Sequence, residues 1–326
     1  MNGIGKILPK KLKFRLDKTQ ETMYYIKAVC DSQVHMEQYR SGHNGHDWKS
    51  CVPQKGTEGS NPSCSAKKGR TSVPFLFYIF YSTVFEGNVH MKEYKNYLFD
   101  LYGTLVDIHT NEENDLLWKR MSIILGMQGV RYTGEELRKQ YMQEVSQRET
   151  AARKERGAGA EIDIGPVFES FFAAQGVAAN TEIVAQLARE FRVLSLEKLR
   201  LFPGVLEMLQ RLKRQGKGVY LVSNAQALFT LPEMKALDLP QYFDGIVISS
   251  VEGFKKPDSR IYRLTLQRYE LDPKETVMIG NDDQADCWGA CRAGLDSMYV
   301  YTEQSPKRTS PLPKNCRILE NISQVF

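Results

Sequence analysis

The chain has 326 residues, of which 42% are hydrophobic and 25% are charged, a composition typical of a globular protein with room for two domains. The formal net charge of +5 arises in residues 1–90, which hold 13 Lys/Arg against 7 Asp/Glu, while the remaining residues hold 31 against 32. A body this close to neutral lacks the basic excess of a nucleic-acid-binding protein, so we expect no nucleic-acid partner.

Residues 1–90 show no steady periodicity and mix lysine clusters with patches of Gly, Ser and Pro, a pattern typical of a disordered segment. The stretch 48–66 resembles a transfer-RNA gene read as protein, and Met91 lies just before the first strand-like segment. We therefore predict that residues 1–90 are disordered or are spurious upstream translation, with Met91 as the native start. The apolar run 75–85 is shorter than the about 20 residues of a membrane span, and a signal-peptide pattern is absent, so we expect no membrane partner.

The first strand-like segment ends on an acid. Residues 97–107 read Tyr-Leu-Phe-Asp-Leu-Tyr-Gly-Thr-Leu-Val-Asp, so an apolar run leads into Asp100 and a Gly-Thr turn follows. A buried strand that delivers a carboxylate to its carboxyl end and then breaks is how an α/β fold presents a nucleophile. We expect Gly103 to permit the sharp turn and Thr104 to hold the nucleophile loop.

Between Asp107 and about residue 200, apolar residues recur at helical spacing and strand signals are absent. This pattern predicts an all-helical insertion over residues 111–199. Two interpretations stay open for the Gly-rich, acidic segment 157–165 inside it: a flexible loop that touches substrate, or a simple connection between helices.

From Pro203 the pattern changes to strands that alternate with helices. An amphipathic helix follows Pro203–Gly204 and stops near Gly216, and apolar runs typical of buried strands cover residues 219–222, 246–249, 277–280 and 298–301. Alternating strands and helices predict a parallel α/β sheet with right-handed crossovers, formed by residues 91–110 and 200–326.

Four groups of polar residues lie just past these strands or on neighbouring loops. They are Asp100, then Ser223-Asn224, then Lys256-Pro257-Asp258, and finally Gly280-Asn281-Asp282-Asp283-Gln284-Ala285-Asp286. Loops at the carboxyl edge of a parallel sheet converge, so these residues can share one pocket. In this order and spacing they resemble the four motifs of the haloacid dehalogenase superfamily, in the subclass with a helical cap after the first motif, and the resemblance covers residues 91–326.

The resemblance implies a hydrolase with a Rossmann-like core and a helical cap that closes over the site and excludes water. It implies that Asp100 attacks the substrate and forms a covalent ester, and that Lys256 holds Asp100 ionised. Ser223, Asn224 and Thr104 are then the expected substrate-binding residues, with the Ser223 hydroxyl donating to an oxygen of the bound group.

A phosphatase of this family needs Mg²⁺, bound by the nucleophile, the backbone carbonyl two residues later and an acid of the fourth motif. The candidate metal ligands here are Asp100, Tyr102, Asp282, Asp283 and Asp286. Asn281 stands where Asp usually follows Gly, so we expect Asp282 first and Asp283 second, with Asp286 orienting Lys256 or a metal-bound water. This interpretation is a Mg²⁺-dependent phosphomonoester phosphatase that acts on a small phosphorylated metabolite.

The alternative is a metal-independent 2-haloacid dehalogenase. Tyr102 stands where phosphatases carry a second Asp as general acid, and a halide leaving group needs no proton. The three acids of the fourth motif argue against this alternative, because without a cation they would repel an anionic substrate. Such enzymes bind the halide with an Arg early in the cap, and no residue here matches it clearly. The nearest candidates are Lys119 and Arg120, beside Trp118. A third possibility is a non-catalytic binding module.

The six cysteines form no CxxC pair, and Cys287 and Cys291, one helical turn apart, are expected to be buried thiols rather than metal ligands. Unpaired thiols fit a reducing cytoplasm. We expect a monomer or homodimer.

Overall fold

The structure is a computed structural model that describes residues 92–325. Our predictions for residues 1–90 and for Met91 lie outside the described residues. Six parallel strands form the main sheet in the order β5-β4-β1-β6-β7-β8. These strands are β1 Asn96–Phe99, β4 Gly218–Ser223, β5 Gly245–Ile248, β6 Thr276–Gly280, β7 Asp296–Val300 and β8 Cys316–Leu319.

Helices cover both faces of this sheet, so its strands are apolar on both sides. Leu98 packs into the hydrophobic cluster on one face of the sheet, and its neighbour Phe99 packs into the hydrophobic cluster on the opposite face. The helices outside the insertion are α5 Val205–Arg214, α6 Ala227–Ala236, α7 Ser249–Glu252, α8 Ser259–Arg268 and α9 Gly289–Arg292. The parallel α/β core predicted from the alternating pattern is confirmed, including a strand at each of the four predicted apolar runs.

Four helices form the insertion: α1 Asp115–Met127, α2 Gly134–Arg156, α3 Gly165–Ala173 and α4 Thr181–Ser195. Their core is aromatic, with the ring centroids of Trp118 and Phe191 5.5 Å apart and those of Tyr141 and Phe191 5.2 Å apart. Phe229 of α6 also packs into this cluster, so the insertion, which we call the cap, is attached to a core helix.

Two strands at the base of the cap were not predicted. β2 Val106–Thr110 and β3 Leu196–Leu201 pair antiparallel, and both predicted boundaries of the insertion, near residues 110 and 200, fall on them. Lys198 and Arg200 of β3 pair with the buried Asp107 of β2 at 3.1 and 2.8 Å. These strands carry many polar residues, and the leucines of β3 continue the helical spacing of α4, which is why the sequence pattern did not separate them.

The segment 157–164 is tied to the core by its backbone. The amide of Lys255 donates to the carbonyl of Gly159 at 2.8 Å, and the amide of Glu161 donates to the carbonyl of Gly253 at 3.0 Å. The carboxylate of Glu161 is buried and accepts from the Ser249 hydroxyl at 3.1 Å. This segment therefore braces the loop that carries Lys256, and contact with substrate stays a prediction.

No helix in the described range 92–325 combines the length and the apolar character that crossing a membrane requires. Cys287 is buried and Cys291 is partly exposed, and neither forms a disulfide.

Candidate active site

The four predicted groups lie at the carboxyl edge of the main sheet. Phe99 pairs with Leu221 of β4 and with Ile279 of β6, so the next residue along β1, Asp100, emerges between the ends of these two strands. Ser223 is the last residue of β4. The topology thus brings together residues that are 180 positions apart in the chain.

Lys256 connects two carboxylates in the centre of the site. Its Nζ donates to Oδ1 of Asp100 at 2.7 Å and to Oδ1 of Asp286 at 2.7 Å, and only 3% of the residue is exposed. Burial acts to lower the pKa of Lys256, but the two carboxylates outweigh it, and the pKa is raised. Burial raises the pKa of Asp286, and the Lys256 ammonium opposes that effect. The ammonium therefore lies between two buried carboxylates and bonds to both.

Asn224 holds the backbone of Lys256. Its Oδ1 accepts from the Lys256 amide at 2.8 Å, and its Nδ2 donates to the Lys256 carbonyl at 2.9 Å. Both ends of this side chain's amide group are thus committed to positioning the lysine. The substrate-binding role that we expected for Asn224 stays a prediction.

The second oxygen of Asp100 faces Thr104. The Thr104 hydroxyl lies 3.0 Å from Oδ2 of Asp100 and 3.2 Å from Oδ1 of Asn281, so these two acceptor oxygens lie close together. Gly103 has φ +80°, and a Cβ there would lie 2.3 Å from Nδ2 of Asn281. The loop geometry therefore requires glycine at this position.

Ser223 is fully buried, and its hydroxyl has no hydrogen-bond partner among the described residues. Buried hydroxyls nearly always have a partner, because an unsatisfied one costs about 1–3 kcal/mol. Ser223 lies at the end of β4, beside the strand that carries the nucleophile. Its unpartnered hydroxyl is therefore suited to donate a hydrogen bond to an oxygen of bound substrate.

The acids of the fourth motif have different environments. Oδ1 of Asp282 accepts from the amides of Gln284 and Ala285 at 2.8 Å each and caps the π-helical turn Asp283–Trp288. Asp283 is buried and accepts from Nε2 of Gln284 at 3.0 Å. Asp286 contacts Lys256, and its role in orienting that lysine stays a prediction. The metal-binding roles of Asp282 and Asp283 stay predictions.

Within residues 92–325, no group of three or more His, Cys, Asp or Glu side chains is arranged to hold a metal ion.

The hydroxyl of Tyr102 contacts a network that the sequence did not reveal. It donates to the carboxylate of Glu233 and lies 2.9 Å from the Thr230 hydroxyl, both on α6. Nε of Arg192, from cap helix α4, donates to the other oxygen of Glu233 at 2.6 Å. Burial, reinforced by the Glu233 charge, raises the pKa of Tyr102 well above its usual range. Thr230 and Glu233, three residues apart in a mostly apolar helix, were the signal available in the sequence.

The structure also locates the halide-binding candidates. Lys119 and Arg120 of α1 are both exposed, whereas the preceding residue, Trp118, is buried. Arg192, which sequence analysis did not single out, is the cap arginine that reaches the Tyr102 network.

A family model described as haloacid dehalogenase-like hydrolase matches residues 94–294. The chain belongs to this family. The match covers the cap and the part of the core that ends after α9, which excludes β7 and β8, and it includes all four polar groups at the sheet edge.

Among curated proteins, the chain is 31% identical over 130 residues to the glyceraldehyde 3-phosphate phosphatase of Methanothermobacter thermautotrophicus, which covers 39% of this chain and 58% of that protein. It is 26% identical over 215 residues to the phosphoglycolate phosphatase of Agrobacterium fabrum, which covers 63% of this chain and 81% of that protein. The chain thus spans little more than half the length of the first of these relatives.

Among solved structures, a 2-haloacid dehalogenase from Pseudomonas syringae matches with a TM-score of 0.50 and 20% identity, over 71% of this chain and 96% of that one. At this identity the likeness confirms the fold alone.

Proposed function

We propose that this protein is a phosphatase that hydrolyses a small phosphorylated metabolite through a covalent aspartyl intermediate. The observation that carries the proposal is the Asp100 carboxylate, with one oxygen held by Lys256 and the other by Thr104, beside the unpartnered hydroxyl of Ser223. The names of the phosphatase relatives support the same reaction class.

The side chains suit two successive displacements at phosphorus. An oxygen of Asp100 bonds to phosphorus as the ester oxygen leaves, and water then attacks the same phosphorus, which releases inorganic phosphate and restores the carboxylate. Lys256 places a positive charge 2.7 Å from Asp100 and reduces the repulsion between that carboxylate and an anionic substrate, while Ser223 donates to a phosphoryl oxygen.

The donor set fits Mg²⁺, which prefers oxygen ligands. Oδ2 of Asp100 and Oδ1 of Asn281 both face the Thr104 hydroxyl, and the Tyr102 carbonyl belongs to the same loop. These three oxygens would hold the cation, and Asp282 and Asp283 remain further candidates. A bound Mg²⁺ would supply positive charge against the phosphoryl oxygens.

A metal-independent 2-haloacid dehalogenase is the second candidate, and the phenol of Tyr102, two residues after Asp100, is the observation that favours it. The cap works against it. Arg192 is paired with Glu233, and Lys119 and Arg120 are exposed, so none of these three cations is presented as a free halide site.

One experiment separates the two reactions. Hydrolysis of p-nitrophenyl phosphate is measured with and without Mg²⁺, in parallel with chloride release from 2-chloropropionate. We expect Mg²⁺-stimulated phosphate release, abolished in Asp100→Asn and kept in Asp107→Asn, a matched control whose carboxylate pairs with β3 instead. Metal-independent chloride release without phosphatase activity would establish the dehalogenase, and no activity of either kind would favour a binding module.

A further inference from the structure

The side chain two residues after the nucleophile faces the cap. Tyr102 leaves the nucleophile loop, and its hydroxyl reaches α6, where Glu233 joins it to Arg192 of cap helix α4. Tyr102 therefore joins the nucleophile loop to core helix α6 and, through Glu233, to the cap.

The hydroxyl hydrogen of Tyr102 is already in use. A phenol has one hydrogen to donate, and the Glu233 carboxylate is a stronger acceptor than the Thr230 hydroxyl, which lies 2.9 Å away. The Thr230 hydroxyl can in turn donate to the phenol oxygen. The ion pair with Arg192 at 2.6 Å holds the buried Glu233 in place as the acceptor.

The other side chains that contact Asp100 are occupied as well. The Lys256 ammonium is shared between two carboxylates, and the Thr104 hydroxyl lies between Asp100 and Asn281. Among the described residues, the two hydroxyls of the nucleophile loop, those of Tyr102 and Thr104, thus each have an acceptor within the protein and no second hydrogen for a departing alkoxide.

We propose that Glu233 and Arg192 are positioning residues that direct the Tyr102 hydroxyl away from the leaving group. The enzyme therefore hydrolyses phosphate compounds whose leaving group is stable as an anion and does not need to be protonated. Acyl phosphates, phosphoanhydrides and aryl or enol phosphates form this class, and simple alkyl phosphates do not. The inference rests on the proposed phosphatase function and narrows its substrate class.

The test compares 4-nitrophenyl phosphate with benzyl phosphate, two esters of similar shape whose leaving groups are a stable phenolate and a strongly basic alkoxide. A positioned general acid typically contributes about 10²–10⁴ in rate, so without one we expect kcat/KM for the benzyl ester to be lower by about that factor. In Tyr102→Phe the ratio between the two esters should stay the same, because the phenol donates to neither. Tyr132→Phe is the matched control, since it removes a cap hydroxyl that donates to the Phe171 carbonyl.

Comparable rates on the two esters in the wild type would overturn the inference, as would a selective loss of benzyl phosphate hydrolysis in Tyr102→Phe. Either result leaves the phosphatase assignment standing. Failure to hydrolyse both esters would instead overturn the proposed function and the inference with it, so the two failures are distinguishable.

Discussion

Replacing Lys256 with Met tests the electrostatic centre of the site. Met has nearly the same length but no charge, so Asp100 and Asp286 lose the cation that now lies 2.7 Å from each of them. Removing one member of a buried ion group leaves uncompensated buried charge, which typically costs about 3–5 kcal/mol of stability. We expect a loss of that size in the free energy of unfolding. We also expect kcat to fall by at least about 10²-fold, because a preorganised charge at the reacting group is lost.

Urea unfolding and steady-state phosphatase kinetics measure the two effects. Lys255→Met is the matched control, because the neighbouring Lys255 is partly exposed and lies 3.6 Å from Glu161, beyond hydrogen-bond distance, so we expect a smaller loss of stability. Burial already raises the pKa of Asp286, and loss of the lysine raises it further. A carboxyl with a higher pKa in the folded state binds more protons there, so its contribution to stability falls as pH rises.

The stability deficit of Lys256→Met should therefore be larger at about pH 8 than at about pH 5. Stability and activity in Lys256→Met that match those of Lys255→Met would refute the reasoning. A deficit that grows as the pH falls would contradict the assigned charge states.

Three further changes probe other parts of the site. Ser223→Ala should reduce kcat/KM by about 10²-fold without reducing the free energy of unfolding, because the hydroxyl has no partner in the described structure; a large loss of stability in urea would contradict this. Asn281→Asp should lower the Mg²⁺ concentration for half-maximal activity about tenfold, since it adds a charged oxygen ligand. It should also make the metal-free protein less stable in urea. An unchanged Mg²⁺ response would exclude position 281 as a ligand. Glu233→Gln should lower the free energy of unfolding in urea by about 3 kcal/mol, because Arg192 loses its carboxylate partner. Glu144→Gln, in a partly exposed i,i+4 pair, should lower it by less than about 0.5 kcal/mol. Equal losses in the two variants would contradict a stabilising role for the pair between cap and core.

Much of the core could be predicted because its signals are local. The buried strands are uninterrupted apolar runs, and the helix after Pro203–Gly204 has regular amphipathic spacing that ends near Gly216. Placing Asp100, Ser223 and Lys256 near one another needed only the rule that parallel strands end at the same edge.

The remainder depends on contacts between distant residues. The pairing of β2 with β3 is stabilised by charged residues across a separation of about 90 positions, as between Asp107 and Arg200. The Tyr102–Glu233–Arg192 network likewise joins three elements, and no single segment carries its pattern. The role of Asp282 as a helix cap also depends on a local π-helical turn that composition does not predict.

The central claim is that Asp100 becomes covalently attached to phosphorus during turnover. The direct measurement is to quench the enzyme with borohydride while it hydrolyses a phosphate ester in the presence of Mg²⁺, and to identify the reduced residue by peptide mass spectrometry. Borohydride converts an aspartyl phosphate to homoserine, so the account predicts homoserine at position 100 and an unmodified aspartate at Asp107. Active turnover with Asp100 unmodified, or with the label at another residue, would contradict it.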